Sequence, residues 1–183
     1  MIIVPITDEL IPELEIFCKK CYHLGYINNE TLKAMKYEWC KEQGEYFCAI
    51  MGNDIVAVAG CHPLPEVSEN AWRIMFRGCE LPQQDTFKGL GKGDWNSITQ
   101  REMIPKFIEW CPSDELFLTT NIDHEHSNGK AARNHRLMGL LAKQGILDKH
   151  CDMELYYTAQ TIWKLNIDEY TERRNKLRGK YVG

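Results

Sequence analysis

The stretch Lys88-Gly89-Leu90-Gly91-Lys92-Gly93 is the part of this sequence best suited to holding an anion. Glycines let backbone N–H groups approach a phosphate with no side chain in the way. A helix that begins beyond the loop points its positive end at the anion, and the two lysines add charge. No Ser or Thr follows Lys92, so the Walker pattern is not met. Short Gly-Lys loops are also ordinary surface turns, and it is the position between a strand and a helix that favours the phosphate reading. Asp94 follows the last glycine and opposes anion binding unless it turns away as a helix cap. Two other groups of chemically capable residues point less specifically. Asp123-His124-Glu125-His126 has His-x-His spacing in a polar loop, with neither nearby Cys nor a helical HExxH. Cys18-Lys19-Lys20-Cys21 lacks a second pair at zinc-ribbon spacing. No metal is expected.

The elements that must position these residues can be read from periodicity. MIIVPI reads as a short first strand. Leu10, Ile11, Leu14, Phe17, Cys18 and Cys21 recur at helical steps from Asp8 to Tyr22. A second helix is expected over Asn29 to Gln43, stopped by Gly44. Tyr46 to Met51, the turn Gly52-Asn53-Asp54 and Ile55 to Gly60 form the clearest hairpin, and the near-continuous apolar second strand implies burial on both faces. After a loop from His62 to Asn70, Ala71 to Arg77 alternates as a third meander strand running on to Leu81. Pro82 to Asp94 is a glycine-containing loop, and Ser97 with Gln100 makes a capping box for a helix to about Trp110. Glu115 to Ile122 reads as a strand and Asp123 to Gly129 as a loop. Lys130 to Gln144 reads as a helix with Leu137, Leu140 and Leu141 on one stripe and Gly145 as its stop. Met153 to Tyr157 and Thr161 to Ile167 close the chain as strands.

Composition excludes several classes. With 44% hydrophobic and 26% charged residues among 183, the chain matches a globular domain and neither a disordered nor a fibrous protein. The net charge of −4 gives no general attraction to nucleic acid or anionic lipid. Arg173, Arg174, Lys176, Arg178 and Lys180 nevertheless make the end locally basic. The start carries no basic n-region or long apolar run, and no later run is long enough for a membrane span, so a cytoplasmic protein is expected. The cysteines are scattered through apolar runs and read as reduced and mostly buried.

The order strand, two helices, meander, glycine loop, helix, strand, helix, strands resembles the GCN5-related N-acetyltransferase (GNAT) superfamily across residues 1 to about 167. Two motifs carry the resemblance. Lys88 to Gly93 resembles the family's Arg/Gln-x-x-Gly-x-Gly/Ala loop, with Pro82 about three residues further from the glycines than the family pattern expects. Asn134-x-x-Leu137-x-x-Leu140-Leu141-x-x-Gln144-Gly145-Ile146 resembles the family's Asn-x-x-Ala-x-x-Leu-Tyr-x-x-x-Gly-Phe helix and exit. The resemblance implies an α/β fold with a central mixed, mostly antiparallel sheet flanked by helices in a single domain, residues 1–167. Residues 168–183 are then a basic C-terminal tail.

It further implies an acetyl-CoA-dependent N-acetyltransferase, in which an amine attacks the thioester directly within a ternary complex. The family's coenzyme lies where the strand before the glycine loop and the strand after the next helix splay apart. On that pattern Lys88, Gly89, Leu90, Gly91, Lys92 and Gly93 hold the pyrophosphate, Asn134 meets the pantetheine, and a backbone N–H among Cys79 to Leu81 polarises the carbonyl. Glu80 becomes the candidate base, and Asp123 and His124 the candidate acceptor contacts. Leu141 stands where many members carry a proton-donating Tyr, so Tyr156 or its neighbour Tyr157 is the candidate acid. The acceptor is a small-molecule or protein amine, its identity open, as is the oligomeric state. Two alternatives stay open: a protein of this fold that modifies or binds nucleic acid through its basic residues, the less favoured partner, and a catalytically inactive interaction domain.

Overall fold

The computed structural model describes residues 1–21, 44–79, 102–122, 130–155 and 157–181. Its strands are β1 (Ile2–Pro5), β2 (Glu45–Met51), β3 (Asp54–Pro63), β4 (Trp72–Cys79), β5 (Leu116–Asn121), β6 (Leu147–Leu155) and β7 (Thr158–Leu165). Its helices, among the described residues, are α1 (Ile11–Cys21), α2 (Ile104–Trp110), α3 (Lys130–Lys143) and α4 (Ile167–Tyr181). The strands form a seven-stranded sheet in the order β1-β2-β3-β4-β5-β7-β6. The helix expected over Asn29 to Gln43 and the loops expected over 82–94 and 123–129 lie outside the described residues. The chain divides into two compact units, Met1–Pro63 with Ile74–Cys111, and Leu64–Arg73 with Pro112–Gly183.

In the first unit β1 pairs antiparallel with β2, and β2 with β3. The hairpin forms where expected because Gly52 takes a φ of +62° at the turn, a region costly for residues with a Cβ. Side chains alternate across β2. Tyr46 and Cys48 pack with Ile55 and Val58 against Leu14, Phe17 and Cys18 of α1. Phe47, on the opposite face, meets Phe107 of α2 edge to face at 5.3 Å. With helices on both faces, β3 is buried from Ile55 to His62, as its unbroken apolar run predicts. The strand extends to Pro63, so His62 belongs to it and not to the following loop. Buried, its ring takes Tyr46 Oη as partner at 3.0 Å. The first helix opens with a 3₁₀ turn at Asp8–Leu10 before α1 proper.

In the second unit Trp72 and Arg73 of β4 pair parallel with Leu116 and Phe117 of β5, while β5 and β6 both pair antiparallel with β7. One face carries Leu64, Ala71, Phe117, Leu155 and Ile162, joined by Val67, Cys151 and Met153. Helix α3 contacts β5 and β6. Its ending is a Schellman motif: Ile146 N–H donates to Leu141 O at 3.0 Å and Gly145 N–H to Ala142 O at 2.9 Å, with Gly145 at φ +76°. The segment expected as a tail is α4. Asn166 Oδ1 accepts from Glu169 N–H at its start, Tyr170 is buried, and Arg173 donates to Gln144 O at 2.6 Å, taking up an orphan carbonyl of α3.

Three expectations are corrected here. Leu140 is 53% exposed while Met138 is buried, so the inward face of α3 includes Met138 and excludes part of the leucine stripe. Strand β6 starts at Leu147, six residues before the expected Met153, because Asp148, Lys149, Asp152 and Glu154 sit on an edge strand whose exposed side tolerates charge. Tyr157 is not a strand residue. It occupies the β6–β7 turn at φ +62° and is 98% exposed.

Candidate functional site

Of the residues singled out from sequence, Glu80, Leu81, Lys88, Gly89, Leu90, Gly91, Lys92, Gly93, Asp123, His124 and Tyr156 lie outside the described residues. Two have described backbone. Cys79 is the last residue of β4, and Asn134 lies in α3. In the first unit, residues 80–101 leave the C-terminal end of β4 and lead to a π turn at Glu102 and Met103, which passes into α2. In the second, residues 123–129 connect the end of β5 to Lys130, the first residue of α3.

Sequence reasoning missed a polar relay in the second unit. Trp163 Nε1–H donates to Thr120 Oγ1 at 2.8 Å, and the same oxygen lies 3.1 Å from His135 Nδ1. The His135 and Trp163 rings meet edge to face at 5.5 Å. Thr120 and Trp163 are both at 4% exposure, so water does not compete for these bonds. Their side chains share a face because Thr120 pairs with Thr161, and Leu118 with Trp163, across β5 and β7. On β6, Asp152 accepts from Lys149 Nζ and Thr161 Oγ1, each at 2.7 Å. Those bonds, Lys149 first, hold its carboxyl below the usual range. The available signal was Thr120 itself, a hydroxyl in the otherwise buried run Leu116 to Leu118, with Trp163 on the partner strand.

Three of the described thiols, Cys18, Cys48 and Cys61, are buried and suit packing better than nucleophilic attack. Burial pushes Cys18 and Cys48 up to about 11, with Glu15 adding to the rise at Cys18. A hydrogen bond to Cys111 and then burial push Cys61 up much further. These three thiols stay protonated at neutral pH, as packing residues do. Cys111 and Cys151 are half-buried and form no disulfide. The carboxyl of Glu115 is held below its ordinary range by Ser68 Oγ at 2.6 Å and then by Lys164 Nζ at 3.3 Å, contacts that tie the start of β5 to its neighbours.

No family model matches the chain, and neither does any curated protein. Solved structures do match. Aminoglycoside acetyltransferase AAC(6')-Ib, solved with coenzyme A and kanamycin, superposes with a TM-score of 0.60 at 8% identity, over 94% of this chain and 98% of its own. A protein from Desulfovibrio desulfuricans described as a GNAT-family acetyltransferase gives 0.59 at 10% identity, over 90% and 97%. The acetyltransferase of Salmonella typhimurium that modifies the N-terminal serine of a 50S ribosomal subunit protein gives 0.55 at 12% identity, over 88% and 92%. The fold of this chain is that of the GNAT acetyltransferases, with the mixed, mostly antiparallel sheet that the sequence implied.

Proposed function

We propose that this chain is an acetyl-CoA-dependent N-acetyltransferase. The observation that carries the reading is coverage: the fold likeness takes in 94% of this chain and 98% of an acetyltransferase solved with coenzyme A. The Lys88 to Gly93 loop and the Asn134 helix, found in the sequence independently of any superposition, point the same way.

In this reading acetyl-CoA is a substrate, the acyl donor. Backbone N–H groups of Lys88 to Gly93 hold its pyrophosphate, and Asn134 contacts its pantetheine arm. Glu80 takes a proton from the acceptor ammonium, directly or through water, so that the amine nitrogen carries a lone pair. That nitrogen bonds to the thioester carbon while a backbone N–H among Cys79 to Leu81 stabilises the charge developing on the carbonyl oxygen. The C–S bond then breaks as the carbonyl re-forms, Tyr156 supplies the proton that the leaving thiolate takes up, and the new amide nitrogen releases its extra proton through water to the tyrosinate. Asp123 and His124 receive the acceptor, a small-molecule or protein amine. Both acceptor classes occur among structures of this fold.

Residues 1–167 would carry both substrate sites, with the basic residues of 168–183 outside them. Among the described residues no helix is long and apolar enough to cross a membrane. Reduced, buried cysteines suit a cytoplasmic setting.

The test is turnover. The chain is incubated with acetyl-CoA and a panel of amines (N-terminal peptides, a polyamine, an aminoglycoside), and released thiol and acetylated product are measured together. One member of the panel should be acetylated, with kcat falling on the order of 100-fold in Glu80→Gln. Binding of acetyl-CoA without turnover on any amine would contradict catalysis and leave an acyl-CoA-binding domain.

A further inference from the structure

The relay in the second unit joins a strand to the helix that carries Asn134, and its donor order can be deduced. An indole nitrogen only donates, so Thr120 Oγ1 accepts from Trp163 at 2.8 Å. The Thr120 hydroxyl has one hydrogen to place, and its second contact is His135 Nδ1 at 3.1 Å. If His135 Nδ1 also donated, that hydrogen would be buried without an acceptor, at the cost of a lost hydrogen bond. The satisfied arrangement runs Trp163 to Thr120 to His135. Nδ1 then accepts, and the ring hydrogen sits on Nε2.

We propose that Thr120 is a positioning residue: oriented by the Trp163 indole, its hydroxyl holds His135 as the Nε2–H tautomer and so fixes the N-terminal half of α3, including Asn134, on β5 for acyl-CoA binding. This rests on the proposed pantetheine contact of Asn134. The geometry supports it in three ways. His135 is the chain neighbour of Asn134, so a fixed imidazole fixes the adjoining backbone. Thr120 is one residue from the C-terminal end of β5, so the relay acts where that strand stops. Its strand-side members are 4% exposed, which makes the bonds strong and their loss costly. A valine at position 120 would fill the same space and pack as well. It would, however, leave Trp163 Nε1–H and His135 Nδ1 without the hydroxyl that each now meets, so what the hydroxyl adds to bulk is these two hydrogen bonds.

Isosteric and conservative variants test this. In wild type, Thr120→Val and Thr120→Ser, the histidine ring nitrogen shifts are recorded by NMR, with His135→Leu identifying the His135 signals. Acetyl-CoA affinity is measured by calorimetry on the same samples. Wild type should show a single Nε2–H pattern for His135. Thr120→Val should move that pattern toward Nδ1–H and raise the acetyl-CoA Kd by about tenfold, the equivalent of one net hydrogen bond. Thr120→Ser should restore both. An unchanged ring pattern and Kd in folded Thr120→Val overturns the proposal, and so does a changed ring pattern with an unchanged Kd. Should Thr120→Val fail to fold, His135→Leu, on a half-buried helix position, carries the affinity test, and an unchanged Kd again overturns it. Wild type that binds no acetyl-CoA sinks the proposed activity instead, and its ring pattern still decides whether the relay exists.

Discussion

Single residues in this protein show which side-chain choices are dictated by contact and which by charge. Gly60 is one of the first kind: a Cβ there would sit 2.5 Å from the Tyr46 ring, and that ring is buried with its hydroxyl on His62. Gly60→Ala forces the ring off its partner and should cost about 1–3 kcal/mol in urea denaturation. Glu115 is of the second kind. Ser68 first, and then Lys164, hold its carboxyl below its ordinary value of 4.5. A depressed folded value means that the contacts stabilise the fold above the unfolded carboxyl's range and lose that effect as pH falls through the folded value. Ser68→Ala should therefore lower the urea midpoint at neutral pH, and its deficit should shrink as the pH drops below 4.5. A deficit that stays constant down to acid pH would show that Ser68 acts by packing alone. Type and spacing single out Lys88 to Gly93 in the sequence, and that stretch lies outside the described residues. The relay was not legible, because a Thr, a His and a Trp far apart in the chain carry no spacing signal until β5, β7 and α3 bring them together.

At the scale of elements, local signals succeeded where one residue type was required by backbone geometry. Gly145 was legible as a stop because the Schellman ending needs a left-handed residue at that point, and its φ is +76°. Gly145→Ala should cost about 1 kcal/mol in thermal or urea unfolding, with Gly145→Asn costing less, since Asn tolerates that region better. Equal stability of all three would mean that α3 ends for another reason. The neighbouring Glu169 Cγ, 3.8 Å from an added Cβ, leaves room for the side chain, so the expected cost is conformational. The β2–β3 hairpin was legible for a similar reason, through Gly52 between two apolar runs. Strand β6 was legible only at its end. An edge strand is free to expose charged residues, and Asp148, Lys149, Asp152 and Glu154 are all exposed, which hides the alternation that marks a paired strand. The leucine stripe of α3 misled in the other direction. Leucine on a helix shows that the position tolerates an apolar residue, but Leu140 faces solvent and Met138 fills the core.

At the scale of the whole molecule, the fold was legible from element order and two motifs, and solved structures of that fold match nearly all of the chain at 8–12% identity. Such divergence is physically unsurprising, since a sheet with helices on its faces is specified by pattern and packing, and many sequences satisfy both. Activity is specified far more narrowly, by a few groups at loops and element ends, and the proposed site turns on the loop Lys88 to Gly93. The central claim is that this loop holds acetyl-CoA, and its most direct test is a calorimetric titration of wild type and Gly91→Glu with acetyl-CoA, each checked for fold by its thermal transition. Wild type should give a saturable isotherm, and Gly91→Glu, which puts a carboxylate and its bulk where the pyrophosphate belongs, should give none while unfolding at the wild-type temperature. No heat of binding from wild type, or equal binding by folded Gly91→Glu, would contradict the account.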